Sequence, residues 1–233
     1  MITYAHSQLI GTRLYQCDAT ATAAQRGVRA WALLDGIGDR PEVRAWARRN
    51  ARLLAHVAAQ TDNPEAAIAA VRATTDYDGY QDDGLAAPSA VAVVGVRAEG
   101  GALRLAWCGD ARAYWRPLDG ALEQLTLDHN EAERCRAAGL TGFPLWYRNR
   151  VTSSLRRHDD AVGEVGTVRV HGLGRLVLCS DGVYSPFEDN GADLGSAVAD
   201  ATPRKVAASL VRRAIGFKAE RKDNATAFVV DFT

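Results

Sequence analysis

Several aspartates in this chain stand at the ends of hydrophobic runs, and that position gives them chemical interest. Trp31-Ala32-Leu33-Leu34 runs into Asp35-Gly36, Leu176-Val177-Leu178-Cys179 runs into Ser180-Asp181-Gly182, and Asp223-Asn224 precedes the last apolar run. A buried β-run that ends in a carboxylate pushes the charge out of its sheet at a fixed point. Several such ends brought together make a pocket of oxygen ligands, which is what hard cations require. Two carboxylates about 5 Å apart at an effective dielectric near 20 repel by roughly 3 kcal/mol, so a cluster of them calls for cations or protons. The dipeptide alone says little. Asp78-Gly79, Asp83-Gly84 and Asp119-Gly120 read as ordinary turns.

The elements that would position these aspartates can be read from periodicity. Val28 to Leu34 reads as a buried strand after short extended segments between Ile2 and Val28. Pro41 opens a helix with Val43, Trp46, Ala47, Leu53, Leu54 and Val57 on one face and Arg44, Arg48 and Arg52 on a solvated one. Asn63-Pro64 caps a second helix, and 76–89 reads as a loop. Strands follow at Ala90 to Val96, Leu103 to Cys108, Ala111 to Arg116 and Leu122 to Thr126, the last two joined by a hairpin at Asp119-Gly120. His129 to Ala138 reads as a helix that Gly139 ends. Then come strands at Thr167 to Val170 and Arg175 to Cys179, a helix from Thr202-Pro203, and a final strand from Ala225 to Phe232. Helices grouped between runs of neighbouring strands fit an α+β domain with helices covering stacked sheets, not a doubly wound parallel sheet.

Composition narrows the function. The 28 basic and 28 acidic side chains cancel, which leaves no bulk field to favour nucleic acid or an anionic membrane. No apolar stretch approaches the eighteen or so residues of a membrane helix and no basic-then-apolar signal segment leads the chain, so a soluble, cytoplasmic protein is expected. Cys17, Cys108, Cys135 and Cys179 stand far apart, and His6, His56, His129, His158 and His171 lack zinc-ligand spacing. Any metal is therefore expected on carboxylates.

In order along the chain, Gly11-Thr12-Arg13-Leu14-Tyr15-Gln16-Cys17-Asp18, Asp35-Gly36-Ile37-Gly38, Trp107-Cys108-Gly109-Asp110-Ala111-Arg112, Leu125-Thr126-Leu127-Asp128-His129-Asn130, Ser180-Asp181-Gly182 and Asp223-Asn224 resemble the motifs of the metal-dependent Ser/Thr protein phosphatases of the PP2C (PPM) type. The resemblance runs from about Gly11 to Asp231 and is to the bacterial single-domain form. Four positions depart from the pattern. Asp39 replaces the second glycine of Asp-Gly-x-Gly-Gly, Ile37 stands where eukaryotic members carry histidine, Pro88-Ser89-Ala90 replaces a Gly-Thr-Thr-like strand start, and Ala111 replaces a serine.

The resemblance implies one domain over 1–233 built as a four-layer αββα sandwich, with two stacked, mainly antiparallel sheets flanked by helices. It implies that Asp35 bridges two Mn²⁺ or Mg²⁺ ions, that the Gly36 carbonyl completes one, and that Asp181 and Asp223 hold the other. Asp18 would orient bound waters, Asp110 would help bind a third ion, and Arg13 would clamp phosphate oxygens. The implied reaction is hydrolysis of phosphoserine or phosphothreonine in proteins by a hydroxide activated between the ions, in a monomer that opposes a Ser/Thr kinase in signalling. Taken singly, Asp18, Asp110 and Asp128 also read as turn or capping residues, and Arg13 as half of a surface ion pair. Segment 139–155 matches a flap beside the active site. Its Phe143, Trp146 and Tyr147 either present an aromatic surface to a phosphopeptide or pack on the core. Two other readings stand beside the phosphatase. One is a pseudophosphatase that binds a phosphoprotein or kinase, which Asp39 and the 88–90 segment favour. The other is an unrelated carboxylate-metal hydrolase, whose sheets would not be stacked.

Overall fold

The computed structural model describes residues 1–75, 87–156, 163–198 and 201–233. The turns expected at Asp78-Gly79 and Asp83-Gly84, most of the 76–89 loop, and His158 lie outside the described residues. Among the described residues, ten strands form two five-stranded sheets, and every pairing is antiparallel. The first sheet has the order β1 (Ile2–Leu9), β10 (Ala225–Phe232), β9 (Gly174–Cys179), β6 (Arg112–Pro117), β7 (Glu123–Gln124). The second has the order β2 (Ala19–Gln25), β3 (Val28–Gly36), β4 (Ala90–Ala98), β5 (Leu103–Cys108), β8 (Gly166–Val170).

Side-chain alternation builds the layers. On β3, Trp31 and Leu33 face one side while Ala30, Ala32 and Leu34 face the other. The first set meets Val91 and Val93 of β4, Leu176 and Leu178 of β9, and Phe228 and Val230 of β10 in the core between the sheets. The second set lies under helices α1 (Pro41–Thr61) and α2 (Pro64–Thr75), which bury Trp46, Ala47, Leu54 and Ile68 there. On the outer face of the first sheet, Val177, Cys179, Ala227 and Val229 pack on helices α4 (Asp181–Asp189) and α6 (Pro203–Gly216). The result is α+β with the αββα layering, and the stacked sheets overturn the reading of an unrelated hydrolase fold. No helix among the described residues is long and apolar enough to cross a membrane.

The local expectations hold where chemistry is local. Asn63 Oδ1 accepts the Glu65 and Ala66 amides at 3.0 and 3.1 Å and caps α2. Gly139 takes φ +72° just beyond α3 (Glu131–Ala137). Three differences have physical causes. The helix expected from His129 starts at Glu131, because the Asn130 side chain accepts the Glu133 amide and makes residue 130 the cap. The strand expected over Leu122 to Thr126 shortens to Glu123–Gln124, where Thr126 Oγ1 accepts the Ala113 amide in place of a backbone ladder bond. Helix α4 was not legible, since its nine residues include Gly182 and Pro186. Burial of Val183, Tyr184 and Phe187 against the first sheet overrides that poor propensity. The short helix α5 (Leu194–Ala197), capped by Asp193, was also not foreseen.

Candidate metal and phosphate site

The alternation that fills the core also aims the site. Asp35 follows Trp31 and Leu33 in phase, Ser180 follows Leu176 and Leu178, and Thr226 precedes Phe228, so at one end of the sandwich the inward-facing rows turn polar. Asp18, just before β2, is buried beneath them, and its Oδ2 accepts from Ser180 Oγ at 2.8 Å and Thr226 Oγ1 at 2.6 Å. Ser180 Oγ in turn accepts the Thr226 amide at 3.0 Å, and Gln8 Nε2 donates to Thr226 Oγ1 at 3.1 Å and to the Asp18 carbonyl at 3.2 Å. Gln8, Ser180 and Thr226 belong to the site's foundation. Ser180 lies in a recognised motif, but nothing in the sequence marks Gln8 or Thr226.

Glycines let the strand ends approach. A Cβ on Gly36 would lie 2.6 Å from the Cys17 carbonyl oxygen and 2.8 Å from a Val43 methyl, so β3 can pass the Asp18 segment only without a side chain. Gly182 is not a turn residue. It lies in the first turn of α4, where a Cβ would come 2.1 Å from the Asn224 carbonyl oxygen. Asn224 ties the rest together, accepting the Cys17 amide at 2.7 Å through Oδ1 and donating to the Ile10 carbonyl at 2.9 Å through Nδ2.

Asp181 begins α4, where the helix N-terminus favours a negative charge. Burial and neighbouring acids nevertheless push its carboxyl up to about 6, while a hydrogen bond shared with Asp35 and one from the Gly182 amide act in the opposite direction. Burial pushes Asp18 up to about 8, against the pull of its Thr226 and Ser180 hydrogen bonds. Asp35 is raised well above the usual carboxylate range by burial and by Asp18, Asp181, Asp223 and Asp110. Asp110 is raised likewise, by burial and then by Asp181 and Asp128. The five aspartates therefore share one electrostatic environment.

Arg13 stands at the mouth, with Nη2 paired to Asp223 Oδ2. Its loop is held from two sides. Thr12 exchanges hydrogen bonds with Lys222 across the gap, the Thr12 amide donating to the Lys222 carbonyl at 2.9 Å and the Lys222 amide to Thr12 Oγ1 at 2.9 Å. On the other side the Asp39 carboxylate accepts the Leu14 amide at 2.9 Å and the Tyr15 amide at 2.8 Å. The departure at Asp39 thus carries a structural connection that glycine cannot make. Ile37 is exposed, and its amide donates to the Ser89 carbonyl at 2.9 Å, so the altered 88–90 segment still braces the end of β3 at Asp35-Gly36.

Asp128 is more than a turn or cap residue. With Arg112 it forms a buried bidentate pair, at 2.9 Å from Nε and 2.8 Å from Nη2, while the guanidinium lies 3.7 Å over the Tyr184 ring. Two of the sequence motifs thereby lock to each other, and Tyr184 Oη donates to the Asp110 carbonyl at 3.0 Å. Within 139–155, a 3₁₀ turn (Leu145–Asn149) docks on α4 through Arg148, which donates to Asp189 at 2.5 and 2.8 Å. Trp146 is 53% exposed and Leu145 83%, with Tyr147 edge-on to Trp146 at 4.6 Å, so the aromatic group packs on itself and not into the core. The root of this segment is held by Arg72 of α2, which donates to the Ser154 carbonyl at 3.1 Å from Nε and to Ser153 Oγ at 3.0 Å from Nη2. No sequence feature marked that arginine.

A cavity of about 550 Å³ opens over the cluster, lined by Arg13, Asp39, Asp181 and Asp223 among others. A second, of about 580 Å³, lies at the opposite end of the sandwich around Val28, Arg97 and Phe232, and Glu99 is its only acidic side chain among the described residues. Its size carries no chemistry. The oxygen donors of the first cavity suit a hard divalent ion, and the buried Asp18 Oδ1 has no hydrogen-bond partner. As they stand, no three acidic, histidine or cysteine side chains among the described residues close around one point, and Asp223 is engaged by Arg13.

No protein-family model and no curated protein matches the chain by sequence. Solved structures do. The serine/threonine phosphatase of S. agalactiae is 20% identical, with both chains covered in full and a TM-score of 0.78. The catalytic domain of the serine/threonine protein phosphatase PstP, in complex with two manganese ions, is 21% identical over 99% of this chain and 97% of that one, with a TM-score of 0.72. PppA, a key regulatory component of the type VI secretion system (T6SS) in Pseudomonas aeruginosa, is 22% identical over 99% and 97%, with a TM-score of 0.75. Over its whole length, this chain has the fold of these solved structures, two of which are Ser/Thr phosphatases.

Proposed function

We propose that the chain, as one domain over 1–233 with 139–155 as its flap, is a metal-dependent phosphatase acting on phosphoserine and phosphothreonine in proteins, opposite a Ser/Thr kinase. The observation that carries this reading is the convergence of Asp18, Asp35, Asp110, Asp181 and Asp223 on one electrostatic cluster with Arg13 at its mouth, in a phosphatase fold. Asp35, the Gly36 carbonyl, Asp181 and Asp223 would hold two Mn²⁺ or Mg²⁺ ions, and Asp110 would contribute to a third. The two manganese ions in PstP support a two-metal cofactor in this fold. Such ions supply a counter-charge for phosphoryl oxygens and a water that ionises near neutral pH.

This chain's own residues do the rest. Arg13, once free of Asp223, presents a planar fork to two phosphate oxygens, which a lysine could meet only as a point charge. Asp18, fixed by Ser180 and Thr226, orients water with its remaining oxygen. Ile37 brings no histidine, and no histidine lines the cavity among the described residues. The proton for the leaving seryl or threonyl oxygen therefore comes from water or from another side chain.

Hydrolysis of p-nitrophenyl phosphate and of a phosphothreonine peptide, with and without Mn²⁺, tests the reading. The expected result is turnover only with metal, falling at least about a hundredfold in Asp35→Asn and Asp181→Asn, since each loses a ligand charge. Absence of metal-dependent turnover, or full activity in either variant, would sink it. Tight Mn²⁺ binding by calorimetry without hydrolysis would favour the pseudophosphatase. Of that alternative's two sequence supports, Asp39 now has a structural account.

A further inference from the structure

The cavity over the carboxylates is unevenly charged. Its acids are all engaged: Asp223 by Arg13, Asp189 by Arg148, Asp39 by the Leu14 and Tyr15 amides, and Asp181 by Asp35. Lys222 is also committed, its Nζ donating to the Ile215 carbonyl at 2.7 Å. Two cations of the lining are not. Lys218 and Arg221, in the segment that joins α6 to β10, are exposed and make no ion pair or hydrogen bond with any described residue. Glu220 lies between them in sequence but does not line the cavity. The same segment contributes Ile215 and Phe217 to the wall, so the charges stand beside an apolar strip.

We propose that Lys218 and Arg221 form a basic wall that selects phosphorylated segments carrying acidic residues next to the phosphoserine or phosphothreonine. The inference rests on the phosphatase reading and names its substrate class. A phosphopeptide entering with its phosphate between Arg13 and the carboxylate cluster must run its flanking residues along the cavity. Aspartate or glutamate there meets two uncompensated cations, whereas lysine or arginine meets like charge. An exposed charge pair contributes about 0.2–1 kcal/mol, which is roughly 1.5- to 5-fold in affinity. Two cations acting on acidic against basic flanks therefore discriminate by about tenfold in moderate salt, and screening over a Debye length of about 10 Å at 0.1 M makes the effect sensitive to ionic strength.

Two phosphothreonine peptides identical except for acidic or basic residues on either side of the phosphate provide the test, with phosphate release measured in Mn²⁺ at low and high salt. The expected result is a higher kcat/KM for the acidic peptide by about tenfold, carried by KM and reduced at 0.5 M salt. The exposed double reversal Lys218→Glu/Arg221→Glu should invert the order. Equal kcat/KM for the two peptides, or a preference that survives the reversal, would overturn the proposal while leaving phosphatase activity standing. If p-nitrophenyl phosphate and both peptides are untouched, the phosphatase reading itself fails. Fluorescence anisotropy of the same peptides, labelled, then decides the flank preference: tighter binding of the acidic one supports the basic wall, and equal binding removes it.

Discussion

At the residue scale, the aspartate at position 39 changes what the site is made of. Where the PP2C-type pattern has glycine, Asp39 bridges to the backbone behind Arg13 with two charge-assisted hydrogen bonds. The position of Arg13, the proposed phosphate clamp, therefore depends on the Asp39 carboxylate. Asp39→Gly should leave the carboxylate cluster intact but let the Arg13 loop move. The expected outcome is a several-fold rise in KM for p-nitrophenyl phosphate with a smaller change in kcat, the pattern of lost ground-state binding. Steady-state kinetics check it, and an unchanged KM would remove Asp39 from the positioning of Arg13. Arg112 and Asp128 show the opposite case. They lie inside motifs that look functional, yet their bidentate pair and the Tyr184 stack serve to hold β6, α4 and the 125–130 segment together.

At the element scale, the site depends on close backbone passes between the two sheets' ends. Helix α4 meets the start of β10 with no room for a methyl group at Gly182, whose added Cβ would fall 2.1 Å from a backbone oxygen that cannot move aside as a side chain would. Gly182→Ala should therefore cost about 1–3 kcal/mol, the usual range for overpacking, in urea denaturation. It should also weaken Mn²⁺ binding, because Asp181 is the preceding residue on the same helix turn. A variant of wild-type stability and metal affinity would show that α4 and β10 tolerate separation. The periodicity of β3 positions Asp35 by the same rule that buries Trp31 and Leu33, so the orientation of the proposed bridging ligand follows from the strand and its burial together.

At the scale of the whole molecule, the carboxylate cluster sets the response to pH. Asp18 is raised to about 8 and Asp181 to about 6 from an ordinary value near 3.8, with Asp35 and Asp110 also raised. The folded chain thus holds protons that the unfolded chain releases above about pH 4. The stabilisation is complete below that pH and is lost as pH rises through the folded values, so the metal-free protein should become less stable between about pH 4 and pH 8. Mn²⁺ bound at the proposed site would compete with those protons, and its stabilising effect should be larger at pH 8 than at pH 5. Thermal unfolding with Mn²⁺ and with a chelator across this range tests both signs. A metal-free Tm that rises from pH 5 to pH 8 would contradict the shared burial of these acids.

The sequence by itself determined the strands, most of the helices and the order of the acidic strand ends, because hydrophobic period and capping chemistry are local. Asn63 and Gly139 act as their residue types dictate, and the alternation through Trp31, Leu33 and Asp35 is written in the chain. What only the tertiary structure decided was partnership across long separations. Asp18 finds Ser180 and Thr226, Asp39 finds the Arg13 loop, Arg112 finds Tyr184, and Arg72 finds Ser153 and Ser154. Helix α4 belongs to the same class, since its Gly and Pro argue against a helix until the first sheet supplies a surface to bury it on. Propensity and period act over a few residues. Hydrogen bonds and close contacts between sheet ends exist only once the two sheets are stacked.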